Sequence, residues 1–105
     1  MRAWIMAAAA LTMSCPVEAR DITRCAIVVD GTSYVDGPCK FEPLGGGDFN
    51  MGDGDYFVYI YPSDQPVMGF WNEERGANHA HTSLGEMIRD GACWMNERVK
   101  VCAWQ

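Results

Sequence analysis

Tyr56-Phe57-Val58-Tyr59-Ile60-Tyr61 is entered from the turn Gly52-Asp53-Gly54-Asp55 and left through Pro62 to Pro66. On an extended backbone successive side chains point to opposite faces. Tyr56, Val58 and Ile60 therefore share one face, and Phe57, Tyr59 and Tyr61 the other. Both sets are apolar or aromatic, types that favour strands, so the hexapeptide reads as the central strand of a sheet. Asp48 to Met51 precedes it as one partner, and Val67 to Trp71 returns as the other.

Working outward, the same grammar repeats. Cys25-Ala26-Ile27-Val28-Val29 is a short apolar run ended by Asp30-Gly31, and Ser33-Tyr34-Val35 is ended by Asp36-Gly37-Pro38. Asp-Gly between short apolar runs is a hairpin signal. Pro43-Leu44-Gly45-Gly46-Gly47 is too rich in glycine for a regular element. Asn72 to Thr82 is polar and irregular. Ser83 to Arg89 predicts one short helical turn, with Ser83 as cap and Glu86 three residues on, against the opposing signal of Gly85. Ala92 to Met95 and Val99 to Trp104 close the chain around a turn at Asn96-Glu97. The fold expected is mostly β: a small disulfide-stapled antiparallel sheet, or a barrel of hairpins, with that one helical turn.

Five cysteines are encoded, and Cys15 lies in what reads as a leader. Met1 and Arg2 give a positive start, Ala3 to Met13 are uncharged, and Val17-Glu18-Ala19 offers small residues for signal peptidase. Residues 1–19 thus read as a signal peptide and residues 20–105 as a single small β-rich domain. The apolar stretch is shorter than the roughly 20 residues that span a bilayer, and none follows that is longer. No stable membrane insertion is expected. Lipidation at Cys15 is the competing reading, set back by Leu11 lying one position early and by bulky Met13. Cys25, Cys39, Cys93 and Cys102 remain, an even number in a short exported chain, which predicts a disulfide framework. Asp36-Gly37-Pro38-Cys39 and Asp90-Gly91-Ala92-Cys93 share a form. That echo favours one bridge per half, Cys25–Cys39 and Cys93–Cys102, over the crossed connectivities.

The formal net charge is −6. With no basic cluster, nucleic-acid binding is not expected. An acidic surface suits a cationic partner.

Each candidate site competes with a plainer account. His79 and His81 point the same way on an extended segment, and Glu86 would complete His-x-His-x4-Glu, part of the first metal motif of cupins. The chain has only two histidines, and Glu73 stands where that motif has glycine. Asp48 to Asp55 invites a calcium loop, yet Asp53 and Tyr59 occupy the positions where an EF-hand has glycine and glutamate. Glu73, Glu74 and Glu86 beside two histidines show no asymmetry that would separate their pKa values. Ser33, Ser63 and Ser83 sit in no nucleophile motif. No catalytic residue and no cofactor is expected. The aromatic residues exceed what a small sheet can cover, and Tyr61, Trp71, Asn72, Glu73 and Glu74 are the residues expected on an exposed binding face.

The runs Gly69-Phe70-Trp71-Asn72, His79-Ala80-His81, Leu84-Gly85, Arg89-Asp90-Gly91-Ala92-Cys93-Trp94 and Val101-Cys102-Ala103-Trp104 resemble a group of short exported two-disulfide bacterial proteins of unknown function. Among these it looks like the VirB-coregulated effectors, substrates of type IV secretion. The resemblance implies delivery into host cells and no established enzymatic activity. The expected function is a non-enzymatic exported interaction protein of a Gram-negative bacterium, periplasmic or secreted, with a protein partner. The alternatives are a periplasmic inhibitor of a cationic lysozyme-like hydrolase, and a small metal-binding protein or metalloenzyme built on His79, His81 and Glu86.

Overall fold

The computed structural model describes residues 19–104, and nearly all of the leader expected at 1–19, with Cys15, lies outside the described residues. Nine strands follow in chain order: β1 (Arg20–Val29), β2 (Thr32–Gly45), β3 (Asp48–Gly52), β4 (Phe57–Tyr61), β5 (Met68–Trp71), β6 (Thr82–Glu86), β7 (Ile88–Asp90), β8 (Cys93–Met95) and β9 (Val99–Trp104). All ladders are antiparallel. The order across the sheet is β6-β5-β4-β3-β2-β1-β9-β8-β7. Its two end strands are consecutive in sequence, so the sheet curls into a nearly closed barrel.

Local chemistry accounts for most of the turns. Asp30 and Gly31 both take positive φ (52° and 81°) between the paired residues Val29 and Thr32. A two-residue hairpin of this hand requires that backbone. Gly46 and Gly47 do the same between β2 and β3, so the glycine run forms the turn itself and the strand continues to Gly45. Nor does β2 stop at Asp36-Gly37-Pro38. Cys25 pairs with Gly37 and Ile22 with Cys39, which leaves two residues of β1 opposite Pro38. A proline has no N–H to give a ladder, and a bulge is where none is needed.

The expected helical turn at Ser83–Arg89 is absent. That segment is β6, a break at Met87, and β7. Gly85 takes φ 87°, outside the helical region, and the Ser83 hydroxyl accepts the Gly85 N–H at 3.0 Å rather than capping a helix. Pairing wins because both sheet edges would otherwise be left open: β6 pairs with β5 and β7 with β8.

Asn96 ties the edge strand β6 to the turn between β8 and β9. Its amide nitrogen donates to the Leu84 carbonyl (2.8 Å) and the Glu86 carbonyl (3.0 Å), and its amide oxygen accepts the Arg98 and Val99 N–H groups (2.8 and 2.9 Å). Met87 meanwhile donates its N–H to Val67 at 2.8 Å. The barrel is thus closed by a bent strand and one side chain.

The core lies on the inner face. Ile27, Met51, Val58, Ile60, Leu84 and Val101 are completely or almost completely buried there. The strand at Phe57–Tyr61 is flanked on both sides, by β3 and β5, but the middle of the sheet is β2. Both disulfides form as expected. Cys25–Cys39 crosses β1 and β2, and Cys93–Cys102 joins residues directly opposite each other on β8 and β9. Each closes a short loop and is worth about 3 kcal/mol in the chain-entropy account. The Asp-Gly-x-Cys echo is not a structural repeat. Its first copy runs through the bulged strand β2, and its second makes the β7–β8 turn.

Replacing Asn96 by alanine should cost about 2–3 kcal/mol, from four lost hydrogen bonds to backbone groups at roughly 1 kcal/mol net with some refilled by water, and lower the melting temperature by roughly 10–20 °C. Asn96→Asp keeps the acceptor but sets a carboxylate against two carbonyls, and should be no better at neutral pH. Circular-dichroism melting under oxidising conditions reads both, and an unshifted melt for Asn96→Ala would place barrel closure elsewhere.

Candidate interaction face

Sheet pairing splits the expected binding set. Val58 pairs with Trp71, so Trp71 faces the core and is 4% exposed. Tyr61 pairs with Met68 on the opposite face. Trp71 is no surface residue: it packs against Tyr34 (ring centres 4.8 Å apart) and Tyr56 (6.1 Å), closing one end of the core. Asn72 is buried too, at 5%. Its oxygen accepts the Phe57 N–H, and its amide donates to the carbonyls of Asp55, Glu74 and Ala77 at 2.9–3.1 Å. It is therefore the hub that folds the 72–81 loop. Glu73 holds a positive φ of 62° and accepts the Thr82 hydroxyl. Among these five residues only Tyr61, Glu73 and Glu74 reach the surface.

What the outer face does present is an aromatic strip. Phe57, Tyr59 and Tyr61 alternate outward from β4, and Phe70 and Met68 stand opposite Tyr59 and Tyr61 on β5. The rings touch in series: Phe57–Tyr59 at 5.9 Å, Tyr59–Tyr61 at 6.0 Å and Tyr61–Phe70 at 6.1 Å. All are half-buried. Such edge and offset contacts add to simple area burial.

Carboxylates rim this strip except at its Phe57 end, where Lys40 stands paired with Asp21 at 2.8 Å. The row Glu42, Asn50, Tyr59, Phe70 crosses four strands, with the Asn50 amide donating to Glu42 at 3.3 Å. Glu86 stands opposite Met68. Asp48, beside Tyr61, holds Ser63 through its N–H and hydroxyl (2.9 and 2.7 Å). Partial burial, then Tyr59, Asp48 and Asp64, push the Tyr61 phenol above its ordinary 10.0.

The other candidates do not assemble. The His79 and His81 rings lie parallel, 5.0 Å apart, but both side chains are exposed. No third ligand joins them: among the described residues no group of three or more His, Cys, Asp or Glu could hold a metal. The calcium-like acids are each engaged elsewhere. Asp53 accepts the N–H groups of Asp55 and Tyr56 in its own turn, Asp55 pairs with Arg75 at 2.6 Å, and Asp48 holds Ser63.

Phe57, Tyr59 and Phe70 were not among the five residues expected on a binding face, although alternation along 56–61 already set two of them beside Tyr61. Pairing with β5, which adds Phe70 and Met68, is not legible from that stretch. Comparison with protein families, with characterised proteins and with solved structures returns no match.

Because the neutral phenol is favoured in the folded state, Tyr61 contributes stability that is present below the unfolded value near 10 and is lost as pH rises through its raised folded value. Alkaline absorbance titration should show one tyrosine ionising late, and that phase should vanish in Tyr61→Phe. A titration identical for the two proteins would refute the assignment.

Proposed function

We propose that this chain is a non-enzymatic exported interaction protein whose aromatic face takes a basic protein surface. The observation that carries the reading is the strip Phe57-Tyr59-Tyr61-Phe70, continuous on an outer face and rimmed by Glu42, Asp48 and Glu86. Large rigid rings bind at low entropic cost, and surrounding charges select the partner and speed encounter. The chain's net charge of −6 has the matching sign.

Two disulfides indicate an oxidising, non-cytoplasmic location. Among the described residues no helix is long and apolar enough to cross a membrane. Within that frame we place the protein in the periplasm or outside a Gram-negative cell. Passage into a host cell by type IV secretion follows from the resemblance alone. The same acidic rim favours a second reading, inhibition of a cationic lysozyme-like hydrolase, in which the basic partner is the enzyme.

The test is a photo-crosslinking amino acid placed at Tyr59, or at Lys100 on β9 as the control, in protein made by an exporting host. A discrete adduct with a basic protein at position 59 and none at position 100 is expected. Tyr59→Ser with Phe70→Ser should weaken that complex by about 30-fold, as loss of a central hot spot does, with both disulfides retained. The same adducts at both positions, or an affinity untouched by the double substitution, would sink the reading. Undiminished activity of a cationic lysozyme in excess protein removes the inhibitor version only.

A further inference from the structure

The barrel has two ends. One is covered by Tyr34, Tyr56, Trp71 and the loop folded on Asn72. The other carries a cavity of about 290 Å³ that opens beside the β2–β3 and β7–β8 turns. Its wall includes Ile22, Phe41, Phe49, Met51 and Trp94, and among the described residues Arg89 is the one charged side chain lining it. Phe41 and Phe49 stack at 4.9 Å to form an aromatic side of that wall.

Arg89 is the informative residue. It projects from β7, an end strand, and its guanidinium lies 5.8 Å from the centre of the Trp94 ring. Its Nε donates to the Gly91 carbonyl at 3.0 Å, which holds the side chain at the turn. Among the described residues it forms no ion pair. Three of the other arginines, Arg24, Arg75 and Arg98, are paired with aspartates. In an acidic protein, an arginine held at the mouth of a cavity lined chiefly by apolar side chains, and paired with no carboxylate among the described residues, is free to meet a ligand's anion. Arg20, 5.2 Å from the Phe41 ring centre, adds a second cation near the same wall.

From this juxtaposition we infer that the barrel mouth is a binding site for a small apolar anion: a bicyclic aromatic or medium-chain aliphatic acid. The apolar body lies between the Phe41–Phe49 stack and Trp94, and the acid group meets Arg89. A cavity of about 150 Å³ accepts benzene, so one of this size takes roughly twice that many heavy atoms. Apolar walls with few convergent polar groups are the usual composition of such sites. The site lies on the inner face of the sheet, away from the strip around Tyr59, and is independent of the partner proposed for that strip.

The experiment uses the disulfide-intact protein and two probes of one shape, 2-naphthoate and its neutral analogue 2-naphthalenemethanol. Calorimetric titration should show one saturable site for 2-naphthoate. The indole N–H resonance of Trp94, identified by its loss in Trp94→Phe, should move with the same saturation. Arg89 is exposed, so Arg89→Gln leaves the fold intact. It should weaken 2-naphthoate about tenfold, the loss of one charge-assisted contact, and leave the alcohol's affinity unchanged. The inference is overturned by any of four results: no saturable binding below about 1 mM, which is about −4 kcal/mol; a Trp94 signal that does not move; equal weakening of both probes; or 2-naphthoate binding that Arg89→Gln leaves untouched.

Discussion

The two hydrogen bonds from the Asn96 amide to the Leu84 and Glu86 carbonyls are the constraint on which the rest of the molecule depends. A curled sheet of short strands leaves two edges, and exposed edges recruit other chains. Here the two edges belong to one segment, β6 and β7, bent at Met87. The bend interrupts the ladder, and an asparagine from the turn before β9 supplies the missing donor. The same side chain's oxygen orders its own turn through Arg98 and Val99. Next to it Arg98 reaches Asp30 through two nitrogens, at 2.9 and 3.0 Å. That pair holds Asp30 below the ordinary carboxylate value by its hydrogen bond, but in full solvent it is screened by salt and adds little.

Closure creates an inside and an outside, and these divide the aromatic residues. Inward, Tyr34, Tyr56 and Trp71 cover one end of the core, and Phe41 stacks on Phe49 at the other. Outward, Phe57, Tyr59, Tyr61 and Phe70 touch in series. The outer rings contribute little to the core that Ile27, Val58, Ile60 and Leu84 already fill. Their value lies in a surface that is apolar at its centre and acidic at its edge. A small barrel can carry such a surface because its stability is supplemented by two disulfides, a common arrangement where the core is limited.

The two asparagines show how a loop-rich small domain satisfies its backbone. Asn72 and Asn96 each use both ends of an amide, one to fold the 72–81 loop and the other to close the barrel. Either could pass for an ordinary polar turn residue in sequence. Their partners, Phe57 and Asp55 for one and Leu84 and Glu86 for the other, lie 10 to 17 residues away.

The sequence by itself determined the β class, the Asp30-Gly31 hairpin, the flanked strand at Phe57–Tyr61 and a framework of four cysteines, whose pairing it favoured and the fold decided. Each of these rests on periodicity, turn backbone or cysteine count, properties carried by residues near one another in the chain. Tertiary structure alone decided the rest. It turned Ser83–Arg89 from an expected helical turn into the strand that joins both edges, because ladder groups needed partners. It buried Trp71 and Asn72 and set Tyr61 on the opposite face, because alternation fixes which residues share a face but only pairing and curvature fix which face is inside. It also gathered Phe41, Phe49, Trp94 and Arg89 around one mouth from four different strands. A face or a cavity is a relation between strands, and no single stretch of chain contains it.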